Sequence, residues 1–190
     1  MNFIRNNGNL TEEDNANWGV IEISKITSRI IDKLIDNLKS GLSDDFFISF
    51  ESLIKIGKKA EPLLKEILKN RTEKLGFQKD LFNFALNLIQ NDEVENPLVL
   101  QLYNPDFIAR ARAIMQIEDA REFKYLKYVI PLIGDPDDSV RWAAINFFIN
   151  NAQLDDPIVY KKLSIQMEKE SNSVIQKKLA DVLIKKYEKN

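Results

Sequence analysis

The residues of this chain best suited to chemistry are arginines, aspartates and one tryptophan, gathered in its second half. Arg110 and Arg112 share one stretch, Asp135, Asp137 and Asp138 open the next, and Arg141, Trp142 and Asn146 follow. The arginine guanidinium is a planar fork of donors that matches a carboxylate or a phosphate bidentately. Arg110 and Arg141 are therefore suited either to a buried pair with an acid or to an anion site. Pairing accounts for both without a ligand, so Arg110, Asp135 and Arg141 are read as a structural ladder. Arg112 and Trp142 are not absorbed in that way. With Asn146 they form the candidate partner-binding set, being residue types that dominate binding hot spots. The alternative for Trp142 is packing between helices, and for Arg112 a solvated helix charge. The acids Asp135, Asp137 and Asp138 lack the glycine and the terminal bidentate glutamate of a calcium loop. They are better explained as a turn followed by a helix cap.

Other chemistry is scarce. The 190 residues contain no His and no Cys, which removes the commonest general base, the commonest neutral metal ligand, thiolate zinc sites and disulfides together. Carboxylates, Lys and Tyr are left for acid–base work. Walker, dinucleotide and nucleophile-elbow motifs are all missing. The expectation is therefore no catalytic residue, no metal and no cofactor.

Charge narrows the partners. Lys plus Arg total 27 against 29 Asp plus Glu, a formal net charge of -2. Affinity for nucleic acid rests on neutralising phosphates, so a chain without basic excess is not expected to bind it. The imbalance is local: residues 135–156 carry five acids and one base, whereas 157–190 carry eight bases and four acids. No apolar run approaches a membrane span. The N-terminus lacks the apolar core of a signal peptide, and a cytoplasmic location is expected.

The elements that must position these residues read as helices throughout. Residues 1–17 are expected to form a flexible lead and 18–190 one helical domain. Ile23, Ile26, Ile30, Leu34 and Leu38 make the stripe of a first helix over 18–40, ended by Gly41. Ser43 to Asp45 can cap a helix that stops at Gly57. Pro62 sits in the first turn of the next, and a turn at 74–76 precedes Phe77 to Ile89. Pro97 opens a short helix, and Asn104-Pro105-Asp106 opens one through Ile117. A single helix is expected from Glu122 to Ile133, ended by Gly134. Asp135 to Ser139 starts Val140 to Ile149, Asp156-Pro157 starts another, and Asn172-Ser173 the last. Within the stretch from Val140, the core stripe is Val140, Ala144, Ile145 and Phe148, with Trp142 off its centre. Phe46, Phe47, Phe50, Phe82 and Phe84 are expected in the core, and Phe123, Tyr125 and Tyr128 against a neighbouring helix.

Second helices thus begin near residues 44, 77, 105, 138 and 173, a rhythm within the range of helical repeats. Residues 104–114 align without a gap on 135–145, so that Pro105, Asp106, Arg110, Ala113 and Ile114 meet Pro136, Asp137, Arg141, Ala144 and Ile145. Asp135, Val140 and Arg141 resemble the inter-helix turn and second helix of a HEAT repeat, and Ser52 to Leu68 resembles the joint between two. The resemblance covers residues 44–188. In the last repeat Val174 fits, while Ile175 stands where the ladder arginine is expected.

This resemblance implies an all-α fold, an α-α superhelix: a short right-handed solenoid of about five antiparallel helix pairs. It implies a protein–protein interaction module or scaffold whose second helices line a concave surface, with Arg112, Trp142 and Asn146 there. Two alternatives stand beside it. One is a HEAT-like DNA-alkylation-repair-type protein, and bilin lyases are a further similar group. The other is a structural subunit of a homo-oligomer using the Ile23 to Leu38 stripe.

Overall fold

The computed structural model describes residues 29–70, 77–91, 97–151 and 155–187. The lead over 1–17, the start of the first helix and the turn at 74–76 lie outside them. Among the described residues all regular structure is helical, and no helix is long and apolar enough to cross a membrane.

Among the described residues ten α-helices follow one another: α1 (29–39), α2 (Asp44–Ile56), α3 (Glu61–Asn70), α4 (Phe77–Asn91), α5 (Pro97–Leu102), α6 (Phe107–Asp119), α7 (Leu126–Val129), α8 (Asp138–Asn150), α9 (Pro157–Lys169) and α10 (Ser173–Tyr187). Local chemistry sets most of their ends. The Ser43 hydroxyl accepts from the Phe46 amide and starts α2, and Gly57 ends it at φ 66°, ψ -135°, a region that L side chains rarely adopt. Asp106, Asp137 and Asp156 cap α6, α8 and α9 through their carboxylates.

One end departs from the usual chemistry. Helix α6 closes with the Arg121 amide donating to Glu118 and the Glu122 amide to Ile117, the pattern of a Schellman motif. That motif needs a left-handed residue, and here it is Arg121, at φ 53°, rather than glycine.

The single helix expected from Glu122 to Ile133 is not formed. The segment is a 3₁₀ turn at Phe123–Tyr125, the one-turn helix α7, and a second 3₁₀ stretch at Ile130–Gly134. Pro131 supplies the physical reason for the second break. It has no N–H to donate to Lys127, and its ring would collide with that carbonyl, so the α-helical ladder cannot pass it. The tighter 3₁₀ winding carries the chain onward and buries Pro131, Leu132 and Ile133.

Consecutive helices pack as pairs: α3 with α4, α5 with α6, the α7 segment with α8, and α9 with α10. Neighbouring pairs touch through α6 and α8, through α8 and α10, and through α9 against the 3₁₀ stretch before α8. One continuous apolar core runs between them. At its centre the Tyr103 ring lies 5.7 to 6.3 Å from Phe46, Phe47 and Phe50 and its hydroxyl donates to the Tyr128 carbonyl at 2.9 Å. Val140, Ala144, Ile145 and Phe148 are fully buried on α8, joined by Phe147. Each of these side chains except the small Ala144 contributes roughly 1.5–3 kcal/mol by leaving water. Phe82 is fully buried, and Phe84 is half-buried against Tyr128, with rings 5.7 Å apart.

Candidate functional site

The ladder residues hold the helices that present the candidate surface. Arg110, only 1% exposed, spans two helix pairs. From α6 its Nε and Nη2 donate to the Asp135 carboxylate at 2.9 and 2.8 Å, while Nη1 donates to the carbonyls of Asn104 and Pro105. Its guanidinium lies 3.8 Å above the Phe47 ring. Arg141 repeats the arrangement one pair further on. Its Nε and Nη2 donate to Glu170 at 2.8 and 2.7 Å, and Nη1 donates to the carbonyls of Asp135 and Pro136. Each arginine thus closes the turn before its own helix and clamps the turn of the next pair. Asp135 also accepts from the Asp137 amide, and Glu170 from the Asn172 amide and the Gln166 side chain. Both guanidiniums are engaged by internal acceptors at four positions, so the geometry is that of a clamp and not of an anion site.

The electrostatics of the two acids differ. Burial pushes the Asp135 carboxyl above the ordinary range, against the pull of Arg110 and the Asp137 amide. Burial also pushes Glu170 upward, but the hydrogen bonds from Arg141, Asn172 and Gln166 outweigh it and hold Glu170 down to about 2. Isolated burial of either charge would cost several kcal/mol, and bidentate pairing with satisfied lone pairs offsets it.

The caps also fix the register between repeats. Asp106, Asp137 and Asn172 each accept amides of the turn that follows, and the residue four places on is Arg110, Arg141 and Gln176. Gln176, not Ile175, therefore occupies the ladder position in α10; Ile175 takes the place of Val140 and is buried. The acid two places before each cap is Asp135 in one pair and Glu170 in the next. Glu170 is not among the ladder residues expected from the sequence, although its spacing from Asn172 matches that of Asp135 from Asp137.

The same register assembles an exposed face from three helices. On α6, Ile108, Arg112 and Met115 point to solvent, with Ile108 51% and Met115 57% exposed. On α8, Trp142 is 38% exposed and Asn146 lies half-buried one turn later. On α10, Val174 and Lys177 are exposed, and the Lys178 ammonium sits 5.4 Å over the Trp142 ring. The positions are equivalent: Met115 corresponds to Asn146, and Arg112 to Ala143 and Lys178. Carrying the gapless comparison of residues 104–114 one residue further brings Met115 into the set. The carboxylates at the start of α8 are otherwise used. Asp137 caps the helix, and Asp138 accepts from the Asn172 side chain at 2.8 Å.

No family model, no curated protein and no solved structure matches the chain.

Proposed function

We propose that this chain is a non-catalytic protein-binding module, a scaffold element that docks a partner on the combined face of α6, α8 and α10. The observation that carries the reading is the exposure of Trp142, Ile108 and Met115 on helices whose opposite sides are fixed by buried core and by the two arginine clamps. Large apolar side chains held out to water on a rigid support are what a binding surface requires, because little ordering entropy is lost on contact.

In this proposal the pairs continue as a short HEAT-like α-α superhelix of about five repeats, and the α6–α8–α10 face is its concave surface. The repeated Arg110–Asp135 and Arg141–Glu170 clamps support it, since a stack of like units repeats its interfaces. We place the protein in the cytoplasm, where a chain without cysteine loses nothing to the reducing environment.

The test is affinity capture with quantitative mass spectrometry, comparing the natural chain with a Trp142→Ala/Arg112→Glu variant whose helical circular dichroism is unchanged. A stoichiometric protein captured by the first and lost by the second is expected. Capture of nucleic acid alone would favour the DNA-binding alternative, and equal capture by both would move the site off this face.

A further inference from the structure

The charge pattern of this face identifies the kind of partner it fits; the inference rests on the binding-module reading above. Trp142 lies on the middle helix of the three, between Ile108 and Met115 on α6 and Lys177 and Lys178 on α10. Ile108 and Met115 are seven residues apart, two turns on one side of α6, which spaces them roughly 10 Å along the axis. Arg112 projects between them. It is exposed, and neither it nor Lys177 forms an ion pair with a carboxylate among the described residues. Lys178 meets the Trp142 ring instead of an acid. Two exposed acids share the face, Asp119 one turn after Met115 at the end of α6 and Asp181 one turn after Lys177 and Lys178 on α10, while Glu118 is held by Asn150 and Asn151.

The result is an apolar strip interrupted by Arg112 on α6 and bordered by Lys177 and Lys178 on α10, three cations against the two exposed acids Asp119 and Asp181, in a chain that is acidic overall. We infer that this face receives an acidic amphipathic peptide segment, whose apolar side chains lie across Ile108, Met115 and Trp142 and whose carboxylates meet Arg112, Lys177 and Lys178. A phosphate backbone would use the cations and leave the strip wet, and a basic or neutral segment would fill the strip and leave the cations opposed or unused. A carboxylate-bearing segment with an apolar face satisfies both, and the flanking cations fix its register and speed its encounter. An aromatic ring and an arginine at the centre carry the affinity, and the outer lysines carry the charge selectivity.

The test is a displayed library of random 16-residue peptides selected on the whole chain, with counter-selection on a Trp142→Ala/Arg112→Glu variant. A second variant, Lys177→Glu/Lys178→Glu, alters exposed or part-exposed α10 side chains and keeps the clamps and the core. The enriched peptides are expected to be net acidic, with apolar residues at helical spacing. They should bind the first variant at least tenfold more weakly, and their affinity should fall as salt rises to about 0.5 M. Peptides resynthesised with Lys for Glu should prefer the lysine-reversed variant over the natural chain. Enrichment of neutral or basic peptides that still depend on Trp142 would overturn the acidic assignment and leave the binding module intact. Enrichment of nothing that distinguishes the natural chain from the first variant would overturn both. Tighter binding of a single-stranded oligonucleotide than of any selected peptide would also overturn the assignment.

Discussion

Replacing Glu170 by Gln removes one charge from the second clamp and nearly nothing from its shape. Arg141 then keeps a neutral acceptor in place of a bidentate carboxylate at 2.7 and 2.8 Å, with its side chain 10% exposed. The magnitude follows from Glu170 itself, held at about 2 against an ordinary 4.5. A pKa difference of that size corresponds to about 3 kcal/mol of folding stability, which agrees with the range of about 3–5 kcal/mol for breaking one side of a buried pair. The sign is fixed by the depressed value. The stability is fully present above pH 4.5, where the unfolded carboxyl is ionised, and is lost as pH falls from there toward 2. Urea denaturation at pH 7 should show the variant about 3 kcal/mol less stable than the natural chain. The gap should close as pH is lowered through that window, because protonated Glu170 resembles Gln. Asp135, pushed upward by burial, is common to both proteins and cancels in the difference. A gap under about 0.5 kcal/mol at pH 7, the size of an ordinary surface change, or a gap that does not narrow in acid would refute the clamp as a stabilising pair.

Three further outcomes follow from single residues. Arg121→Gly should stabilise the chain by about 1 kcal/mol in thermal or urea unfolding, since the left-handed conformation at φ 53° costs an L residue that much. Gly57→Ala should destabilise it by about 1–2 kcal/mol although the added methyl has open space, because the cost lies in the backbone at φ 66°. Trp142→Ala should change unfolding free energy by less than about 1.5 kcal/mol, well below the roughly 3–5 kcal/mol of a buried tryptophan.

Helix existence was legible because caps and breakers are local. Ser43, Gly57, Asp137 and Asn172 act within a few residues of themselves, so their spacing alone marks where helices begin and end. The apolar pattern from Glu122 to Ile133 is helical in spacing and so conceals the break before α8, where one proline stops the α-helical ladder. The acid opposite Arg141 lies 29 residues away and is legible only once the last repeat is registered on its Asn172 cap, which puts Glu170 at the position of Asp135. Aligning on Val174 rather than on the cap shifted the last repeat by one residue and put Ile175 where Gln176 belongs. For the surface, residue type and a position off the core stripe and the ladder single out Arg112 and Trp142. Ile108 and Met115 are not singled out by type, because only the packing of α6 on α5 and α8 shows that their side is left in solvent.

On the proposed function, the α6–α8–α10 face carries a protein partner. This is tested most directly by placing a photo-crosslinking phenylalanine analogue at Met115, with Ile165 on the exposed side of α9 as the comparison, in the cells that make the protein. A discrete crosslinked protein species from Met115 and none from Ile165 is the predicted result. No adduct from Met115, adducts to nucleic acid alone, or the same species from both positions would contradict it.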